Sequence, residues 1–201
     1  MLTGALAPSS GRILLGGADV TGLAQARRVK RGIGRTFQIN TLFRSLPVLD
    51  NVALGIAERR GVGSRMWRPA GRYTQIKDET RELLASLGLG ADAERQVSDL
   101  PYGKQRLVEI AIALGMKPRV LLLDEPAAGV PSVDSGRIIE VLDALPAEIA
   151  ILVIEHDMDL VRRFARRITV LAAGSVLMQG SPDEVMRDER VRQVYLGELH
   201  A

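Results

Sequence analysis

The stretch Val120-Leu121-Leu122-Leu123-Asp124-Glu125-Pro126 constrains the fold more than any other. An unbroken apolar run of this length reads as a strand buried on both faces, the habit of parallel sheets. Parallel strands need long crossover connections, usually helices. The chain supplies them. Ile76, Leu83, Leu84 and Leu87 fall on one helical face that Gly88 ends. Leu107, Ile110, Ala111 and Leu114 mark a helix opening near Lys104, and Ile138, Leu142 and Leu145 mark another. Residues 24–31 form a basic helical stretch and 158–166 a further helix. Strands are expected at 11–17, 33–37, 119–124 and 149–155, with a turn at 19–22. Residues 168–172 and 175–178 read as a hairpin turning at Ala173-Gly174. Ser181-Pro182-Asp183-Glu184 is a capping box with Pro at the first helical position, so a helix starts there. Residues 39–72 read as loop-rich and basic. Alternating strands and helices predict an α/β fold with a mostly parallel sheet, and the stretch of roughly 40–115 is a candidate helical subdomain.

Composition narrows the class. The chain has 201 residues and 46% hydrophobic content, enough for one buried core. Aromatics are 3%, so the core is Leu, Ile, Val and Ala. There is no Cys, hence no disulfide and no thiolate metal site. Apolar runs reach about six residues, against the ~20 a membrane-spanning helix needs, and the N-terminus does not look like a signal peptide. The net charge is +3. Basic residues cluster at Arg27, Arg28, Lys30, Arg31 and Arg35, at Arg59, Arg60, Arg65, Arg68 and Arg72, and at Arg162, Arg163, Arg166 and Arg167. These read as solvated faces, because no aromatics interleave with them as stacked bases require.

The chemistry-bearing residues sit at strand ends. In open α/β sheets, ligands bind beyond the carboxyl ends of the strands. Asp124 and Glu125 lie there, suited to holding Mg²⁺ on a nucleotide and to orienting an attacking water. Gln38 closes Gly32-Ile33-Gly34-Arg35-Thr36-Phe37-Gln38, and His156 follows the apolar run 149–155. Between them, Asp99-Leu100-Pro101-Tyr102-Gly103-Lys104-Gln105-Arg106 opens a helix whose N–H groups and dipole suit an anion.

This order of strand, Gln, Gly-containing helix opening, strand-Asp-Glu-Pro and strand-His resembles the nucleotide-binding subunit of an ABC transporter over residues 2 to about 197. Tyr102-Gly103-Lys104-Gln105-Arg106, Asp124-Glu125-Pro126-Ala127-Ala128-Gly129 and Val194-Tyr195-Leu196-Gly197-Glu198 look most like the branched-chain amino-acid importers. The resemblance implies a P-loop-NTPase-like sheet with an inserted helical subdomain, and ATP and Mg²⁺ as cofactors. It implies Asp124 and Gln38 toward the metal, and Glu125, Gln38 and His156 in hydrolysis. Leu100, Pro101, Tyr102, Gly103, Lys104 and Gln105 would contact ATP bound by a second, partner ATP-binding subunit. Integral membrane permeases and, indirectly, a substrate-binding protein complete the implied partners, at the cytoplasmic face of the inner membrane. Three departures stand out: Pro101 replaces the family's common Ser, Tyr102 a usual second Gly, and Pro131 stands where many members have Asp.

The family's phosphate loop, Gly-x-x-x-x-Gly-Lys-Ser/Thr, should precede all of this. Gly-Lys occurs once, at Gly103-Lys104, followed by Gln105. The expectation is therefore a cassette truncated at its N-terminus, without its first strands and phosphate loop. The alternative is a non-catalytic module that binds a permease or full-length partner without hydrolysing ATP. An ABC-type ATPase acting on nucleic acid is disfavoured. Only about 60 residues separate Gln38 from Asp99, without sustained heptads.

Overall fold

The computed structural model describes residues 1–36, 42–62 and 70–195. The chain forms two compact units, Met1–Ile154 and Glu155–Ala201.

In the first unit a short antiparallel pair, β1 (Leu14–Leu15) and β2 (Ala18–Asp19), leads into α1 (Gln25–Lys30). The expected turn at 19–22 thus begins one residue later, because Asp19 pairs with Leu14 and its Oδ1 accepts from Thr21 N at 2.8 Å. Arg28, expected on a solvated face, is 1% exposed. Its guanidinium donates to the carbonyl oxygens of Leu23, Met1, Leu2 and Thr21 at 2.6–2.9 Å. A buried charge is tolerable only when its donors are matched, as here by backbone carbonyls. The side chain stitches the first residues to α1.

The sheet is three parallel strands in the order β3 (Ile33–Arg35), β4 (Val120–Asp124) and β5 (Ala150–Ile154). Leu121 and Leu123 are 0% and 1% exposed. Burial of that order is worth about 1.5–3 kcal/mol per side chain. On β5 the outward residues Leu152 and Ile154 remain 45% and 59% exposed.

Between β3 and β4 run α2 (Val48–Arg59), α3 (Ala70–Ser86) and α4 (Tyr102–Gly115). The α2 helix overturns the loop reading of 39–72 across its span. Val48, Leu49, Val52 and Ile56 are all buried, a helical stripe outweighed in the sequence by Gly61, Gly63, Pro69 and Gly71 around it. Buried Asn51 locks the preceding turn. Its Oδ1 accepts from Phe43 N at 2.9 Å and its Nδ2 donates to the Phe43, Leu46 and Pro47 carbonyls. The α4 helix is buried nearly all round, not on one face, because α2, α3, α5 (Ser132–Asp143) and β3 all pack on it.

The second unit holds α6 (Met158–Phe164), the hairpin β6 (Ile168–Ala172) and β7 (Ser175–Gly180), α7 (Pro182–Arg187) and α8 (Glu189–Tyr195). Ala173 and Gly174 have φ of +48° and +78°, the two left-handed positions of a tight hairpin turn. Both halves of the Ser181/Glu184 capping box form. The core is Val170, Val185 and Val191 with Met158, Ile168, Leu177 and Met178 around it. The α8 helix is a seven-residue addition that the sequence reading did not include.

Candidate functional site

In the first unit, the carboxyl end of β4 is the chemically richest point. Asp124 is the last residue of β4, paired in register with Ile154 of β5. Its Oδ2 accepts from Arg35 Nη2 at 3.3 Å, with both side chains partly exposed. Arg35 ends β3, so the pair crosses the two strand ends. A carboxylate already set against a cation, and open to solvent, suits Mg²⁺, which keeps several waters and takes one or two carboxylates plus phosphate oxygens. Among the described residues no group of three or more His, Cys, Asp or Glu gathers into an all-protein cage, so such an ion would rest largely on water and phosphate.

Glu125 follows with φ +45°, a left-handed backbone that a non-glycine residue adopts at a cost of order 1–3 kcal/mol. Its N–H donates to the Ile154 carbonyl at 2.9 Å, tying the turn to the end of β5. The turn 126–129 then closes with Ala128 N on the Glu125 carbonyl at 3.1 Å. Strain held in place by neighbouring hydrogen bonds is typical of functional turns, and it re-aims Glu125 away from the strand direction.

Residues 100–105 divide into two groups. Lys104 and Gln105 both have partners within the chain, although the Lys104 side chain stays 43% exposed. Lys104 Nζ pairs with Asp92 Oδ2 at 2.6 Å, and Gln105 Nε2 donates to the Leu100 carbonyl at 2.8 Å. Burial raises the Asp92 carboxyl, but hydrogen bonds from Lys104 and Arg95 more than offset this and hold it below its usual value. Leu100 is itself buried. Pro101 and Tyr102 are exposed, and the first N–H groups of α4, at Tyr102, Gly103 and Lys104, have no acceptor within the helix. An anion here would be met by these backbone N–H groups, beside a Lys104 ammonium shared with Asp92.

Tyr102 links this segment to the turn after β4. A Cβ built on Gly129 (φ +73°) would lie 3.3 Å from Tyr102 Cε1, so Gly129 is required both by its backbone and by the ring against it. The Arg106 guanidinium stands 5.3 Å from the centre of the same ring. Arg106 Nη1 also donates to Glu109 Oε2 at 2.8 Å, both side chains 5% exposed. Burial pushes the Glu109 carboxyl above its usual value, with Arg106 opposing.

His156 is exposed and belongs to the second unit, two residues after the end of β5. Next to it, Asp157 Oδ1 accepts from Leu160 N at 3.1 Å and starts α6. Gln38 lies outside the described residues. Sequence reasoning missed the Arg35–Asp124 pair, because Arg35 fell in the middle of a strand expected over 33–37 and the observed strand ends at Arg35. It also missed the Tyr102–Gly129 contact, for which Gly at the end of the Asp-Glu-Pro turn is the only signal.

This geometry has relatives. The profile of the ABC transporter family matches residues 1–128, and that of the branched-chain amino acid ATP-binding cassette transporter matches residues 175–201. The chain belongs to the ABC transporter family. It is 36% identical to the high-affinity branched-chain amino acid transport ATP-binding protein LivG of Escherichia coli (strain K12), over 98% of this chain and 80% of LivG. It is 35% identical to the lipopolysaccharide export system ATP-binding protein LptB of Acidithiobacillus ferridurans, over 98% of this chain and 78% of LptB. The ADP conformation of MJ1267, an ATP-binding cassette of an ABC transporter, superposes with a TM-score of 0.82 at 28% identity, covering 98% of this chain and 80% of that one. The α/β fold is that of an ABC cassette. No described helix is long and apolar enough to cross a membrane.

Proposed function

We propose that this chain is the ATP-binding subunit of an importer for branched-chain amino acids, working against integral membrane permeases at the cytoplasmic face of the inner membrane. The observation that carries the substrate class is the match of residues 175–201 to the branched-chain amino acid cassette profile, together with 36% identity to LivG. Asp124 holds the hydrated Mg²⁺ that travels with ATP, and Arg35 keeps its carboxylate in place. Gln38 is assigned to the same metal. Mg²⁺ supplies charge neutralisation on the phosphates, the main requirement of phosphoryl transfer. Glu125 accepts a hydrogen bond from the attacking water and aligns it, and His156 donates to the γ-phosphate. The N–H groups opening α4 face the nucleotide held by a second cassette, and a substrate-binding protein delivers the cargo from outside.

A second reading is favoured by one observation. The 201 residues hold no Gly-x-x-x-x-Gly-Lys-Ser/Thr. Backbone N–H groups and the Lys of that loop are the main holders of the β- and γ-phosphates. A chain acting without them would seat on a permease or a full-length cassette and hydrolyse nothing.

The test is uptake of radiolabelled leucine, isoleucine and valine by source cells lacking this gene. The proposal expects uptake to fall and to return with a wild-type gene extended by a phosphate loop, but not with the same extended gene carrying Glu125→Gln. Unchanged uptake of all three would sink the substrate assignment. Full rescue by Glu125→Gln would favour the non-hydrolysing module.

A further inference from the structure

The turn after β4 is left-handed at both ends, with φ +45° at Glu125 and +73° at Gly129. Glycine adopts that backbone freely, and a glutamate does not. Pro126 follows Glu125, and the residue before a proline favours extended backbone, so Glu125 stands far from its local preference. Such strain persists only where neighbours hold it. At its start the turn is held by Glu125 N–H on the Ile154 carbonyl of β5 at 2.9 Å. Inside it, Ala128 N donates to the Glu125 carbonyl at 3.1 Å and Val130 N to the Ala127 carbonyl at 3.0 Å. At its far end it meets an aromatic ring.

That ring is Tyr102, the first residue of α4. Its Cε1, Cζ and Oη would lie 3.3, 3.8 and 3.9 Å from a Cβ at Gly129, so the ring edge seats directly on the glycine. Tyr102 and Arg106 are four residues apart and share a helix face. The Arg106 guanidinium stands over the ring, 5.3 Å from its centre, within the range at which a cation is drawn to an aromatic face. Arg106 is fixed in turn by Glu109, Nη1 to Oε2 at 2.8 Å, with both side chains 5% exposed. A buried ion pair adds little net stability, because desolvation offsets the attraction. Its use here is placement: it sets one guanidinium over one ring. The base for all of this is firm, since α4 is buried nearly all round and Gln105 fastens its opening to the Leu100 carbonyl. Glu109, Arg106, Tyr102 and Gly129 thus connect the inside of α4 to the far end of the turn that carries Glu125.

We propose that Tyr102 is a positioning residue for Glu125: its ring, set by Arg106, braces the turn at Gly129 and keeps Glu125 left-handed, with its carboxylate aligned on the attacking water. This rests on the assignment of Glu125 to that water. It gives the side chain at position 102 a task separate from that of the N–H groups opening α4.

The experiment compares Tyr102→Ala, Tyr102→Phe and a core control in the same helix, Ile110→Val, with circular dichroism checking the fold. Tyr102 is 39% exposed, so its truncation leaves the core of α4 in place. Should Tyr102→Ala not fold, Tyr102→Leu, which keeps apolar bulk without the ring, carries the same expectation. The first readout, on the 201-residue chain, is the NOE between the amide hydrogen and Hα of Glu125, which is strong only at positive φ. Wild type, Tyr102→Phe and Ile110→Val should show it, and Tyr102→Ala should lose it. The second readout is ATP turnover by the chain carrying a phosphate loop ahead of Met1. There Tyr102→Ala should lower kcat about 10- to 100-fold, the scale of an ångström's misplacement, with KM for ATP nearly unchanged. Tyr102→Phe should recover most of that loss. A folded Tyr102→Ala chain that keeps the Glu125 NOE overturns the proposal. So does loss of the NOE in Ile110→Val, which would make it a reporter of stability alone, or a raised KM with unchanged kcat in Tyr102→Ala, which would make the ring a binding contact. A loop-bearing wild type without turnover would instead sink the assignment of Glu125 to hydrolysis, and the NOE alone would then decide whether Tyr102 braces the turn.

Discussion

Replacing Glu79 by Gln should cost the first unit about 2 kcal/mol near neutral pH and nothing in strong acid. Glu79, on α3, receives Arg59 from α2 at 2.6 Å, Arg60 beside it, and Lys117 after α4 at 3.2 Å. One carboxylate thus pins three elements. Its burial acts to raise the carboxyl, but hydrogen bonds from Arg59, Arg60 and Lys117 prevail and bring it from 4.5 to about 2. Each pKa unit is worth about 1.36 kcal/mol, so the full shift corresponds to about 3 kcal/mol. The Glu79 side chain is only 19% exposed, but Lys117 is 70% exposed, and solvent screening of its pairing trims the figure to about 2 kcal/mol. The sign follows from the depressed value. The stabilisation is complete above pH 4.5, the ordinary carboxylate value, and is lost as pH falls through about 2, when the folded carboxylate takes up its proton. Urea unfolding of wild type and Glu79→Gln across that range measures the difference directly. The gap should be widest at neutral pH, under half its size near pH 3 (about 40% of the full linkage), and closed below pH 2. A gap independent of pH would show that Glu79 contributes packing and not charge, and would refute the reasoning.

Three further outcomes are expected. Gly129→Ala forces an L side chain into φ +73° against the Tyr102 ring and should lower stability by about 1–2 kcal/mol in thermal unfolding, whereas Ala128→Gly nearby should cost less. Asn51→Ala strips the buried partner from Phe43, Leu46 and Pro47 and should cost about 2–3 kcal/mol, with faster amide exchange at Phe43; exchange left unchanged would remove Asn51 from its role as a clamp. In a chain given a phosphate loop, His156→Ala should lower ATP turnover ~10²–10³-fold and leave ADP affinity nearly alone. Equal loss of both affinities would make His156 a packing residue.

The sheet and its acidic end were legible because their signals are local. Leu121 and Leu123 sit in an apolar run with no polar interruption, and Asp124-Glu125-Pro126 can follow such a strand only at the sheet edge. Ser181 and Glu184 were legible for the same reason, since a capping box is written in four consecutive residues. What escaped depends on distant partners. Arg28 reads as one of a basic cluster, and only the fold shows four carbonyls gathered around its guanidinium from two segments of chain. The α2 helix was hidden because its buried stripe is short and flanked by glycines and proline, which weigh locally toward loop. The pairing of Lys104 with Asp92, twelve residues earlier, likewise has no local signal in the motif. The strained φ of Glu125 has no trace in residue type at all.

The central claim is that the turn after β4 is the hydrolytic end of a nucleotide site that needs a phosphate-cradling loop to work. The direct measurement is ATP hydrolysis by the 201-residue chain and by the same chain carrying the strand, Gly-x-x-x-x-Gly-Lys-Ser/Thr loop and helix of LivG ahead of Met1. The account predicts background turnover for the first, Mg²⁺-dependent turnover for the second, and ATP binding without turnover when the second carries Glu125→Gln. Turnover by the 201 residues alone that Glu125→Gln abolishes, or undiminished turnover by the extended Glu125→Gln chain, would contradict it.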